Sequence, residues 1–312
     1  MDDAPIASPV SRELKPLIAR NKAFDAWFAV LGLVAMMVGL ITLTALIIDL
    51  AVHGIPRLSW DFFSSYPSRF PEKAGILSAW VGTTVVMFVT VASAVPLGVA
   101  AGVYLEEYAP KNWITGIIEI NITNLAGVPS IVYGLMALGL FVYQFGFGQS
   151  VLSAGLTLAL LILPMVIIAT REAIRAIPSS IREAAYALGA TKWQTVQHHI
   201  LPYSTGGILT GVIIAMSRAI GETAPLITIG ALTFIAFLPA SPIQPEAPFI
   251  SFQWLFDPYT VMPIQMFNWT SRPQAAFHLN AAAAGLVLMA MTLLMNGLAI
   301  YIRYRFRKRI KW

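Results

Sequence analysis

Long apolar runs alternate with short polar ones along this chain. The runs cover about residues 26–48, 76–104, 125–145, 151–170, 203–238 and 275–302. Each matches or exceeds the ~20 residues a helix needs to cross a bilayer. The pattern predicts an all-α, polytopic membrane protein with six transmembrane helices in residues 25–302. A polar N-terminal arm (1–24) precedes them and a basic tail (303–312) follows. The fifth run is much longer than one span requires, and it is predicted to be interrupted. Pro129 is expected to break or kink the third, which an amphipathic or interfacial segment at about 113–124 precedes.

The polar interval at 171–202 differs from the others. Ser180 with Glu183, and Thr191 with Gln194, have capping-box spacing. Gly189 lies between them, where a helix ends most easily in a left-handed turn. Pro202 suits the first turn of a following helix. The expectation is helix, glycine break, helix, then the fifth span. Two small-xxx-small pairs, Gly98 with Gly102 and Gly207 with Gly211, are expected to let neighbouring helices approach closely.

Composition agrees with a bilayer. The chain is 57% hydrophobic and 11% charged, against about 25% charged in soluble domains. Its 312 residues carry a net charge of +5 and no cysteine, so disulfides and thiolate sites are excluded. The first apolar run exceeds the roughly 7–15 residues of a signal peptide, and Asp2, Asp3 and Glu13 precede it, so it reads as a retained span. Six spans put both termini on one side. Lys and Arg concentrate in the arm, the 171–202 loop and the tail, which are therefore expected in the cytoplasm. The Pro- and aromatic-rich loops 49–75 and 239–274 are expected outside. No basic stripe points to nucleic acid, and membrane lipid is the expected surface partner.

Arg218 and Glu222 carry the sharpest chemical signal. They stand four apart inside the fifth apolar run, where a charge costs from about 2.5 to over 10 kcal/mol at mid-bilayer. Such groups face a bundle interior or a watery path. The rigid fork of Arg suits oxyanions. An ion pair that only fixes packing is the plainer reading. Adjacent His198 and His199 point about 100° apart on a helix, and no metal site is expected. The dipeptide Gly-Lys does not occur, so there is no phosphate-binding loop, no means of hydrolysing ATP and no cofactor site. No catalytic constellation is expected.

Glu183-Ala184-Ala185, Gly189 and Leu201-Pro202 resemble the EAA signature of permease subunits in bacterial ABC importers. His199 stands where that family usually has an aliphatic residue. The resemblance implies a type I importer (MetI-like) fold whose 171–202 loop couples to a separate ATPase. Arg218-Ala-Ile-Gly-Glu-Thr-Ala-Pro-Leu226 looks like the fifth-span motif of phosphate-specific (Pst) permeases, closer to the A-type than the C-type subunit. Gly127–Gly134, Trp60–Pro71 and Met262–Trp269 point the same way. The family implies a second, C-type permease, a homodimeric ATPase that holds ATP and Mg, and an extracytoplasmic phosphate-binding protein. It also implies residence in the bacterial cytoplasmic membrane and a pathway role for Arg218 and Glu222. A permease for sulfate or molybdate, a self-sufficient secondary transporter or channel, and a scaffold without a pathway are the alternatives.

Overall fold

A computed structural model describes residues 9–243, 249 and 251–307; the side chains of 9–19, 23, 306 and 307 lie outside that description. Residues 1–8 of the expected arm, 308–312 of the tail, and 244–248 and 250 of the second outer loop also lie outside it. The architecture is all-α. Five helices are long and apolar enough to cross a membrane, or six if one sharply bent pair counts as a span.

The chain divides into two compact units, Met1–Val52 and His53–Trp312. The first consists of α1 (Pro9–Gly54) up to Val52, and residues 9–24 of the expected arm continue this helix. Phe24, Trp27, Phe28, Leu31, Ile41 and Ile48 are all exposed along it. A helix that is apolar all round has no face suited to water and belongs in hydrocarbon or a protein interior.

The second unit opens with a short helix α2 (Trp60–Ser64), started by the Ser59 side chain, which accepts from the Phe62 N–H. α3 (Leu77–Val103) follows and ends in a wider π-helical turn, Tyr104–Tyr108. α4 (Trp113–Ala126) and α5 (Ser130–Ala137) are bent by 105°. The bend falls at Gly127–Pro129, where proline has no N–H to continue the ladder. The Tyr133 hydroxyl donates to the Leu125 carbonyl across it, at 2.8 Å. The expected third span and interfacial segment are thus the two arms of one bent pair.

α6 (Val151–Arg175) is the most buried of the five long helices. Small residues explain how α3 and its neighbours reach it. A Cβ on Gly98 would stand 2.6 Å from Val166, and one on Gly102 2.6 Å from Thr170. Gly207 and Gly211 meet Ala173 and Ala169 of α6 in the same way. Gly155 of α6 returns the contact against Val89, and the Thr90 hydroxyl lies 3.2 Å from the Gly155 carbonyl.

The polar interval forms α7 (Ser179–Ala187) and α8 (Lys192–Thr195). α8 runs through a π segment, Val196–Ile200, into α9 (Leu201–Ile220). Lys192–Ile220 is therefore one helical stretch of 29 residues, not a loop helix followed by a separate span. The π segment lies just before Pro202, which lacks the N–H that a regular turn would direct at His198. The fifth apolar run breaks at Gly221. A short α10 (Ala224–Thr228) follows, with Pro225 in its first turn. Gly230 (φ +90°) then turns the chain against Gln149.

The loop at 239–274 is less open than its composition predicted. It contains α11 (Met262–Thr270), whose Met262, Ile264 and Trp269 are buried. Trp269 packs on Phe62 at 6.1 Å between ring centroids, so the segments around Phe62 and Trp269 share one apolar cluster with α12 (Ala275–Arg307). Arg57 ties the same corner together. Its guanidinium donates to Asn280 Oδ1 at 2.7 Å and to the Glu72 and Ala74 carbonyls at 2.8 and 2.9 Å. The aromatic residues left outside are Trp60, Phe70, Phe249, Phe252, Phe256 and Phe267.

Candidate functional site: a polar hairpin and a broken span

The polar loop is a rigid hairpin of two limbs. Thr191 and Gln194 form a capping box in full: the threonine oxygen accepts from the Gln194 N–H, and the Gln194 side chain accepts from the Thr191 N–H. The other limb departs from expectation. Pro178 stands at the N-cap of α7, and no side chain caps that end, so Ser180 and Glu183 do not form a box. Proline pre-sets the entry angle, and both side chains remain exposed. Gly189 turns the chain at φ +82°, a conformation that costs other residues roughly 1–2 kcal/mol.

Exposure shows what the hairpin is built to present. Glu183 and Ala184 are exposed, while Ala185 is buried as the inward contact. Leu188 is 89% exposed, and Tyr186 and Trp193 are open as well. Apolar side chains raised on a capped polar hairpin form a surface that a partner would cover. Underneath, Val196 and Ile200 are buried with Val103, Ile174 and Ile177. Leu201 and Tyr203 pack against that cluster, and Pro202 is half-buried beside them.

Of two adjacent carboxylates just past α3, Glu107 holds the hairpin from behind and Glu106 ties the same turn to α6. Arg182 on α7 meets Glu107 at 2.7 Å, and the Glu107 side chain is only 6% exposed. Arg182 also donates to the Ile177 and Ile174 carbonyls at 3.0 and 3.2 Å, closing the C-terminal end of α6. Glu106 meets Arg175 at 3.0 Å and lies 3.5 Å from Arg171, whose other partner is Glu119 of α4 at 2.6 Å. Lys192 at the start of α8 sits 5.0 Å from the centre of the Tyr108 ring. The end of α3 is thus tied to both limbs of the hairpin. It also places the 104–113 turn on the same side of the molecule as the polar loop. The missed signal was two adjacent acidic residues at the end of an apolar span, with an arginine surplus in a later loop.

At its far end α9 carries the other candidate residues. Arg218 lies in its last turn and Glu222 just past the break, with Nε and Oε1 3.3 Å apart. The Arg218 side chain is 38% exposed and that of Glu222 18%. Another guanidinium nitrogen meets the Met165 sulfur at 3.7 Å, so among the described residues two of its five N–H donors are used and the fork keeps an open side. Glu222 was expected on the same helix as Arg218. It reaches its partner from the non-helical turn that Gly221 begins. Backbone broken at membrane depth is tolerated only where it faces protein or a water-filled cavity. Here α10 packs on α5, where Gly134 leaves room for Pro225 and Thr228. Ser217, beside Arg218, bonds Asn296 of α12 at 2.8 Å, and Arg303 donates to Thr210 at 2.8 Å. These polar bonds fix α9 against α12. Asn296 and Met165 gave no signal of their own in the sequence.

The family of binding-protein-dependent transport system inner membrane components matches residues 94–312, well over half of the chain. The chain belongs to that family. Among curated relatives, a phosphate transport system permease protein PstA from Mycobacterium leprae is 35% identical, with 73% of this chain and 75% of that protein covered. A probable ABC transporter permease, YqgI of Bacillus subtilis, is 31% identical over 83% of this chain and 88% of its own length. Another PstA, from Haemophilus influenzae, is 33% identical over 74% and 81%. In fold, this inner membrane component resembles a solved bacterial alginate ABC transporter, with TM-score 0.64 and 14% identity over 92% of this chain and 96% of that one. The MetNI methionine ABC transporter aligns at TM-score 0.52 and 16% identity, covering 72% and 91%.

Proposed function

We propose that this inner membrane component is one of two permease subunits of an ATP-driven importer of inorganic phosphate. The observation that carries the reading is the unbroken Lys192–Ile220 stretch. It joins an exposed apolar hairpin at one end to an Arg–Glu pair at the other. At roughly 1.5 Å per residue, its 29 residues can carry a displacement over roughly 40 Å. An energy source at the hairpin is thus linked mechanically to an anion site in the span.

In this reading the 171–202 loop faces the cytoplasm, as its arginines and lysines favour. Glu183, Ala184, Leu188 and Trp193 seat in a homodimeric ATPase that binds ATP and Mg. No cofactor belongs to this chain. A related C-type permease supplies the second half of the pathway, and a phosphate-binding protein docks on the exposed aromatics around Trp60, Phe249 and Phe252. Arg218 offers its open donors to the phosphate oxyanion as the pathway opens. Glu222 keeps the guanidinium oriented and prevents tight retention. The names of the PstA relatives support phosphate as the cargo.

The test is reconstitution of the complex in proteoliposomes, with ATP inside or outside and uptake of phosphate, sulfate and molybdate compared. ATP-dependent uptake that favours phosphate is expected. Preference for another oxyanion overturns the substrate. Uptake by this chain alone, without ATP, overturns the class.

A further inference from the structure

The hairpin has a second attachment besides the fifth span. We infer that Glu107 is a positioning residue through which movement of the hairpin also drives α3. The inference rests on the coupling role proposed above and extends it to a helix that the EAA-type loop does not continue into.

The geometry is specific. α7 buries only Ala185, with Ile181 half-buried against the Val196 and Ile200 cluster. Few apolar contacts therefore hold it. Its firm link to the rest of the chain is Arg182. That guanidinium spans two structures at once: the carboxylate of Glu107 at 2.7 Å, and the end of α6, where it meets the Ile174 carbonyl of the last turn at 3.2 Å and the Ile177 carbonyl just past it at 3.0 Å. The pair is largely removed from water, where an ion pair with satisfied hydrogen bonds is stiff and losing one partner is costly. Glu107 sits in the π-helical end of α3, and Tyr108 beside it takes Lys192 of the other limb at 5.0 Å. Displacement of either limb therefore pulls on the same turn. α3 in turn lies against α6 through Gly98 and Gly102, with no slack for a Cβ. A pull at Glu107 therefore moves α3 together with α6, to which Glu106 also binds the same turn through Arg175, while the continuous α8–α9 stretch moves the Arg218 end. The hairpin thus acts on two helices, and only one was visible in the sequence.

Glu107→Gln tests this in the assembled complex, since it removes the charge with little change of shape and leaves the Arg182 bonds to α6 in place. The expected result is unchanged assembly and basal ATP hydrolysis, with phosphate moved per ATP lowered roughly fivefold or more, the lower range of couplings between sites. Glu107→Gln with Arg182→Gln should lower the ratio no further than the stronger single variant, because both act through one contact. Glu107→Asp, which keeps the charge, should recover most of the ratio. An unchanged ratio in assembled Glu107→Gln, or additive losses in the double variant, overturns the inference. Should Glu107→Gln not assemble, Arg182→Gln removes the same contact from its other side, and a wild-type ratio there would overturn the inference. Glu183→Lys is the control. If it uncouples and Glu107→Gln does not, this inference alone falls. If Glu183→Lys leaves the ratio intact, the coupling reading falls and this inference with it.

Discussion

Arg218 and Gly189 are the residues on which the chemistry and the mechanics turn. Among the described residues Arg218 is paired with Glu222 alone and keeps an open side, which suits the transient anion contact proposed for it. Arg218→Gln keeps a polar side chain but removes the charge. A charge-assisted hydrogen bond is worth about 1.5–3 kcal/mol, so phosphate uptake should fall by roughly tenfold or more while the complex still assembles. Normal uptake in vesicles containing that variant would remove Arg218 from the pathway. At Gly189 the backbone stands at φ +82° with nothing near the position of a Cβ. Gly189→Val therefore acts through backbone strain alone, the β-branched residue being the poorest fit to this conformation. ATP hydrolysis should persist and uptake should drop, measured side by side on one preparation. Unchanged coupling there would show that the turn geometry is dispensable.

Among the helices, α6 is the one the others are built around. Gly98 and Gly102 bring α3 to it, and Gly207 and Gly211 bring α9. Gly102→Leu or Gly211→Leu should lower assembled complex and its melting temperature, because a side chain has to displace Thr170 or Ala169. Gly116→Ala on α4, where nothing lies within 4 Å, should leave both unaltered and even favour the helix slightly. Thermal melts in detergent separate the two cases; equal stability of all three variants would contradict the packing argument. The breaks are as purposeful as the contacts. Pro129 and Gly221 mark the breaks that let α5 and α10 meet, and the turn at Gly221 brings Glu222 back onto Arg218.

For the molecule as a whole, the exposed hairpin and the exposed aromatics around Trp60, Phe249 and Phe252 are the proposed surfaces for other chains. Mild-detergent purification of this subunit should bring along a second permease and an ATPase, identified by mass spectrometry of the eluate. Leu188→Asp should release the ATPase while the permease pair stays together, since it places a charge on the most open apolar residue of the hairpin. Retention of the ATPase by that variant would move the docking surface elsewhere.

Much of this was legible in the residues. The all-helical membrane architecture, the polar loop, its glycine turn and the Arg218–Glu222 pair follow from periodicity, φ preference and the cost of charge in hydrocarbon. Each of these depends on neighbours in sequence or on the solvent alone. Three features had another origin. The Ser180–Glu183 box did not form because Pro178 had already taken the cap, a competition that spacing does not record. The aromatics of 249–270 split into buried Trp269 and exposed Phe252 and Phe267 because α11 presses one face onto Phe62 and α12. And Glu107, which by its sequence marks only a short polar turn after an apolar run, became the hold on the hairpin because Arg182, 75 residues later, was brought to it. Composition and spacing record what each segment prefers alone. Which charge meets which, and which apolar face is covered, is decided only when distant segments pack and exclude water from the contacts between them.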